Sequence, residues 1–276
     1  MATQDIQTSL YNGKYSVKFQ SKAHRYYIDG QPKIGVTTIL GKVLAKPQLM
    51  LWPLNMAIAY MREHIDYTET YTGRDIELLL ESAYKAHSVR RDKGSDTGSI
   101  VHDLAEKRLQ GHTFTIKEIA DLPSEVALAL GAFEGFMSKA KPKTIATEQI
   151  VYSPTLGYAG TYDSILEIDG KIYLVDLKTT NAGRSAPAGV YPENFLQLGA
   201  YAYAYEEQRL YEKGIGVTKL KELDDLMIIS AKKDGKLHTK TASELGLSLL
   251  DCIVAWEHVV SVYYMLNGLD QKLATA

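Results

Sequence analysis

Apolar residues recur along this chain with two different periods. In QLMLWPLNMAIAYMREH after Pro47, DIELLLESAYKAHSVRR from Asp75, IVHDLAEKRL after Gly98-Ser99 and PSEVALALGAFEGFMSKA from Pro123 they return every three to four residues. That is the period of a helix with one buried face, and Gly111 marks the stop of the third. Shorter runs rich in Val, Ile, Leu and Tyr read as strands: KYSVKF, HRYYIDGQPKIGV, Thr147–Tyr152, Tyr162–Ile168, Lys171–Lys178, LMIISA and KLHTKT. Asp29-Gly30, Asp169-Gly170 and Asp234-Gly235 supply the preferred hairpin turns. A Gly/Ala/Pro loop from Asn181 to Pro192 leads into the helix PENFLQLGAYAYAYEEQRLYEKG, and a long helix from about Ser243 to Leu266 closes the chain. The order helices, antiparallel strands, helix, strands, helix predicts an α/β fold with a mixed central sheet flanked by helices. The expected organisation is an N-terminal hairpin and helical subdomain over residues 1–93, packed on a core over 94–276. No internal repeat interrupts it.

One hairpin breaks its own pattern. In GYAGTYDSILEIDGKIYLVDLKTT a tight turn at Asp169-Gly170 sets facing residues so that Ile168 meets Lys171, Ile165 meets Leu174 and Asp163 meets Asp176. Opposed residues have Cβ atoms roughly 4.5 to 5.5 Å apart, and like charges placed there destabilise the pair. Lys178 lies on the same face, two residues beyond Asp176, but one lysine balances only one of two carboxylates. A divalent ion would neutralise the rest, and hard oxygen ligands suit magnesium or manganese. The alternative is an exposed sheet face with an ordinary surface ion pair. Ile165, Ile172 and Leu174 share that face and argue that it is covered. A one-residue bulge would break the register.

Composition narrows the class. At 276 residues, with 45% apolar and 23% charged residues, the chain can bury a large core. A formal charge of −2 and a pI near 6.4 exclude nucleic-acid binding by overall field, so any such grip is a local groove. The single cysteine, Cys252, excludes an intrachain disulfide, a cysteine zinc site and a cysteine-held iron–sulfur cluster. No basic segment with an apolar core opens the sequence, and no apolar run is read as long enough to span a bilayer. A cytoplasmic setting without membrane association is expected.

Other residues gain meaning beside the hairpin. Gln197 and Tyr201 stand four apart on the helix that follows it, with Tyr205 continuing the row, so they share one face. They fit either a polar site or core packing. His102 borders the stripe of Val101, Leu104 and Ala105, as a structural histidine or as a metal ligand. Glu148, on the preceding strand, reads either as a solvated residue or as a supporting acid behind the ligands. The run KAHSVRRDK carries Lys85, His87, Arg90, Arg91 and Lys93, either a solvated helix end or a phosphate-contacting groove. Tyr26, Tyr27 and Trp52 are candidates for stacking on splayed bases or for the core.

The series GSIVH with His102, GTYD with Asp163, DLK with Asp176 and Lys178, and QLGAY with Gln197 and Tyr201 resembles the RecB-type nucleases of the PD-(D/E)XK superfamily. These include RecB nuclease domains, nucleases of CRISPR adaptation, mitochondrial genome maintenance exonuclease and phage nucleases. The likeness covers Gly98 to Glu206, and HRYYIDGQPKIGVTTIL is similar to the opening of phage-encoded members. It implies a restriction-endonuclease-like core in which His102, Asp163, Asp176 and the carbonyl of Leu177 ligate Mg²⁺ or Mn²⁺. Lys178 would then sit beside the attacking water, and Gln197 and Tyr201 would position DNA or nucleophile. Thr179, next to the lysine, joins the basic run as an expected DNA contact. The cluster cysteines of some relatives are absent, which implies a member without an iron–sulfur cluster.

The implied activity is metal-dependent DNA exonuclease action in recombination, repair or phage DNA processing, in the cytoplasm of a bacterium or phage-infected host. The expected partners are single-stranded or duplex DNA ends, with recombination or replication proteins. A structure-selective or nonspecific endonuclease, and a non-catalytic DNA-binding recombination or packaging factor, are the alternatives.

Overall fold

The computed structural model describes residues 5–44, 50–180, 189–214 and 222–275, with side chains as far as Gly268. Internal contacts group the chain into two compact units, Met1–Val43 with Val101–Ala276, and Leu44–Ile100.

The first unit holds a mixed sheet. Strands β1 (Ile6–Leu10), β2 (Tyr15–Gln20), β3 (Arg25–Ile28) and β4 (Gln31–Gly35) form an antiparallel meander. The apolar pattern does not mark β1, because four of its five residues are exposed. At the β3–β4 turn both Asp29 (φ 49°) and Gly30 (φ 76°) are left-handed, as a hairpin turn matched to strand twist requires. β4 leads into α1 (Val36–Val43) and pairs in parallel with the start of β6 (Tyr158–Ile168). Among the described residues the sheet runs β1-β2-β3-β4-β6-β7-β8-β9, with β5 (Lys143–Ser153) also on β6. β7 (Lys171–Thr180) and β8 (Asp225–Lys232) are parallel, and β9 (Leu237–Thr241) returns antiparallel. Between these two parallel strands in the chain comes the helix α6 (Pro192–Lys213).

Two helical layers cover the sheet. On one face, Val101 and Ala105 of the helix α3 (Gly73–Leu109) and Val126, Ala129 and Phe133 of α5 (Ser124–Ala140) pack on Leu166, Val175, Leu177 and Ile229. On the other, α6 crosses β5 to β8 and is backed by α7 (Leu249–Thr275). These two helices nearly touch: a Cβ on Gly199 would lie 2.4 Å from the carbonyl oxygen of Cys252. Contrary to the sequence expectation, Leu249–Gly268 is long and apolar enough to cross a bilayer by length and composition alone. One face of it buries Cys252, Ile253, Trp256, Val260 and Tyr263, while Leu250, Val254, Val262 and Met265 are exposed.

The second unit contains α2 (Trp52–His64) and the first part of α3. Pro53 sits at the start of α2, where its missing N–H costs nothing, rather than interrupting it. Two helices are expected between Asp75 and Leu109, but α3 runs unbroken for 37 residues through Gly94 and Gly98. A mid-helix glycine costs only about 1 kcal/mol relative to alanine, too little to end a helix that continues on both sides. It stops before Gly111, whose φ is 96°. The short α4 (Ile116–Ala120) follows, capped reciprocally by Thr115 and Glu118.

Candidate active site

The site forms where one strand loses a neighbour. β5 pairs along the whole of β6 on one edge. On the other edge β4 pairs only with Tyr158 and Ala159, and β7 only with Ser164 to Ile168. Among the described residues, Gly160 to Asp163 therefore have no strand partner there. The β6–β7 ladder keeps the expected register, with Ile165 facing Leu174 and Ile168 facing Lys171, but it ends one pair before the two aspartates. Where the carboxylates would oppose each other the strands part, and Asp163 Oδ2 accepts the Leu177 N–H at 2.6 Å. A side chain thus takes up a backbone donor at the point where like charges would weaken the ladder. The gap is filled from two sides. The Tyr201 ring lies against Gly160, where a Cβ would meet Cε1 at 2.6 Å. Thr161 Oγ1 bonds the Tyr26 hydroxyl at 2.9 Å. Tyr26 is buried and stacked on Phe19, so it belongs to the core rather than to an open stacking surface.

Beyond the gap, Asp176 and Lys178 point toward α6. Lys178 Nζ lies 2.7 Å from Asp176 Oδ2, and the Asp176 side chain is 3% exposed. Gln197 bridges them: its Nε2 donates to Asp176 Oδ1 at 3.2 Å and its Oε1 accepts from Lys178 Nζ at 3.1 Å. The same Nε2 donates to the Tyr201 hydroxyl at 2.9 Å. The Gln197–Tyr201 pair therefore orients the D-x-K residues. Burial pulls the Lys178 pKa down, but Asp176 and Asp163 outweigh it and leave the net shift upward. Burial holds the Tyr201 phenol far above its ordinary range, so it stays neutral. Thr179 keeps a buried Oγ1 without a hydrogen-bond partner.

On the α3 side, His102 Nδ1 lies 3.5 Å from Asp163 Oδ2. Glu148 faces Asp163 across β5–β6, between the pairs Thr147↔Ser164 and Gln149↔Tyr162, and its φ is 46°. One ligand atom from each of His102, Glu148 and Asp163 can be chosen so that all lie within 4.8 Å of one another. Asp176 is not part of this group. Burial, then Asp176, raises the Asp163 carboxyl to about 6, opposed by His102, Lys178 and the Leu177 N–H. Burial, then Asp163, Glu106 and Asp103, pushes Glu148 up to about 8. An imidazole and two carboxylates crowded by further acids fit a divalent cation, with hard oxygen donors favouring magnesium or manganese.

The sequence reading places Glu148 behind the expected ligands; in the structure its carboxylate shares the 4.8 Å group with donor atoms of His102 and Asp163. Its position depends on an irregularity in the β5–β6 register between Thr144 and Ala146, for which the sequence carries no turn or glycine signal. Lys85, Arg90, Arg91 and Lys93 are exposed on α3 within the second unit, and Arg91 pairs with neighbouring Asp92 at 3.0 Å. His87 bonds the carbonyl of Tyr84.

The profile of the PD-(D/E)XK nuclease superfamily matches residues 61–244, well over half of the chain. No curated protein matches. Among solved structures, the protein SSO0001 is similar at 13% identity, covering 61% of this chain and 85% of its own, with a TM-score of 0.29. An alkaline exonuclease (LHK-Exo) from Laribacter hongkongensis is similar at 11% identity, covering 63% of this chain and 85% of its own, with a TM-score of 0.23. At these TM-scores neither structure bears on the activity of this chain.

Proposed function

The chain belongs to the PD-(D/E)XK nuclease superfamily, and from that premise and the site geometry we propose that it is a metal-dependent DNA exonuclease. The observation that carries the reading is the parting of β6 and β7 at Asp163 and Asp176, with Lys178 fixed beside them by Gln197. His102, Asp163, Asp176 and the Leu177 carbonyl would hold Mg²⁺ or Mn²⁺. When bound, the cation supplies Lewis-acid polarisation of the scissile phosphate and a water of lowered pKa.

The remaining work falls to the chain's own side chains. Asp176 and Asp163 keep Lys178 protonated, so it acts as a fixed positive charge where negative charge develops on the phosphate, not as the base. Gln197 uses both ends of its amide to hold that ammonium and the Asp176 carboxylate in register. Tyr201 anchors the amide from below. Exonuclease action, as opposed to internal cleavage, is favoured by the resemblance to RecB-type nucleases. DNA recombination, repair or phage DNA processing is the setting that resemblance favours. Phosphate contacts by Lys85, Arg90, Arg91, Lys93 and Thr179 belong to the same proposal.

The test compares end-labelled linear DNA, single-stranded and duplex, with closed circular DNA in Mn²⁺ or Mg²⁺. Loss of linear substrate with circles spared is expected. Nicking or linearisation of circles would replace the exonuclease with an endonuclease.

A further inference from the structure

We infer that the Glu148 carboxylate is itself a ligand of the divalent cation, alongside His102 and Asp163. The inference rests on the metal-nuclease reading and adds a residue to it. Its first support is position. Glu148 is the β5 residue opposite Asp163, and its carboxylate falls within the same 4.8 Å group as the His102 and Asp163 donors. These donors come from α3, β5 and β6, all within one compact unit.

The second support is the state of the competing acid. Asp176 already has the Lys178 ammonium 2.7 Å from its Oδ2 and Gln197 donating to its Oδ1 at 3.2 Å, although the buried Oδ2 itself makes no hydrogen bond. Glu148 has no hydrogen-bond or ion-pair partner among the described residues, although it is half-buried beside Asp163. A partly buried carboxylate without a donor is costly to keep. Around it stand further acids: Glu106 lines the same hollow, and its own carboxylate is bonded by Gln110 at 2.8 Å. A cation is the missing charge. The third support is aim. The backbone of Glu148 is left-handed at 46°, a conformation that a non-glycine residue within a strand rarely adopts, and such outliers gather where a side chain must be held in a particular direction.

The test is Mn²⁺ affinity of the full chain, read from the electron paramagnetic resonance signal of free Mn²⁺. Wild type, Glu148→Gln, Glu148→Asp, Asp163→Asn and Lys178→Ala are compared, with folding checked by circular dichroism in EDTA. Removing an outer-shell partner costs roughly 10- to 100-fold in metal affinity. Glu148→Gln should lose at least as much as Asp163→Asn, and Glu148→Asp, which keeps the charge on a shorter arm, should be weakened as well. Lys178→Ala should still bind Mn²⁺ while losing cleavage. Wild-type affinity in Glu148→Gln, with Asp163→Asn impaired and wild type active on DNA, would overturn the assignment of Glu148 alone. A wild type that neither binds Mn²⁺ nor cleaves DNA would overturn the nuclease reading and this inference together.

Discussion

Lys178 and Glu148 carry opposite electrostatic problems, and each yields a prediction. Lys178 neutralises a buried aspartate, so Lys178→Ala leaves Asp176 as an unpaired buried charge. Breaking such a pair costs on the order of 3 kcal/mol, and Lys178→Ala should lose about that much in urea unfolding, with part recovered in Lys178→Ala/Asp176→Asn. Equal stability of the two variants would contradict the pairing. Glu148 is a carboxylate that the fold disfavours: its pKa is raised to about 8. Between the ordinary carboxylate range and about pH 8, the folded chain keeps a proton that the unfolded chain has released, so stability falls as pH rises through that window. Asp163, raised to about 6, adds to the decline at its lower end. In EDTA, Glu148→Gln should be more stable than wild type at pH 8.5 or so, with the difference shrinking toward pH 4. A difference that does not change with pH would count against this.

At the scale of elements, two glycines separate close contact from mere tolerance. Gly199→Ala drives a methyl into the backbone carbonyl of Cys252, which forces α6 and α7 apart. Overpacking of this kind costs typically 1 to 3 kcal/mol, and a fall in melting temperature should report it. Gly98 in α3 has nothing within 4 Å of a would-be Cβ, so Gly98→Ala should stabilise by up to about 1 kcal/mol. A destabilised Gly98→Ala would show that the helix is not continuous there.

The elements themselves were largely legible from the apolar periods and Asp-Gly turns, and the hairpin register over Ile165–Leu174 follows from its turn alone. Less was legible where the backbone departs from regularity. Gly94 and Gly98 look like a helix boundary but carry too small a penalty to make one. The parting at Asp163 and the irregularity before Ala146 are departures of the backbone from regular pairing. With them Glu148 comes within 4.8 Å of donor atoms of His102 and Asp163, and no residue type in TEQIVYS announces them.

At the scale of the molecule, a net charge of −2 leaves no broad field to hold DNA, so under the proposed function retention would fall to the local site and the cation proposed there. If the proposed site binds Mn²⁺ in the folded state, the ion should stabilise the metal-free protein by about 2.7 kcal/mol at a hundredfold excess over Kd, seen as a rise in melting temperature. Asp163→Asn should abolish that shift, and an equal shift in Asp163→Asn would place the ion elsewhere. The most direct measurement is digestion of end-labelled linear DNA by wild type and Lys178→Ala, in Mn²⁺, in EDTA, and after Mn²⁺ is restored. The proposed function predicts cleavage by wild type that EDTA stops and Mn²⁺ restores, and a loss of about 10²-fold or more in the variant. Cleavage by Lys178→Ala at the wild-type rate, or cleavage that persists in EDTA, would contradict it.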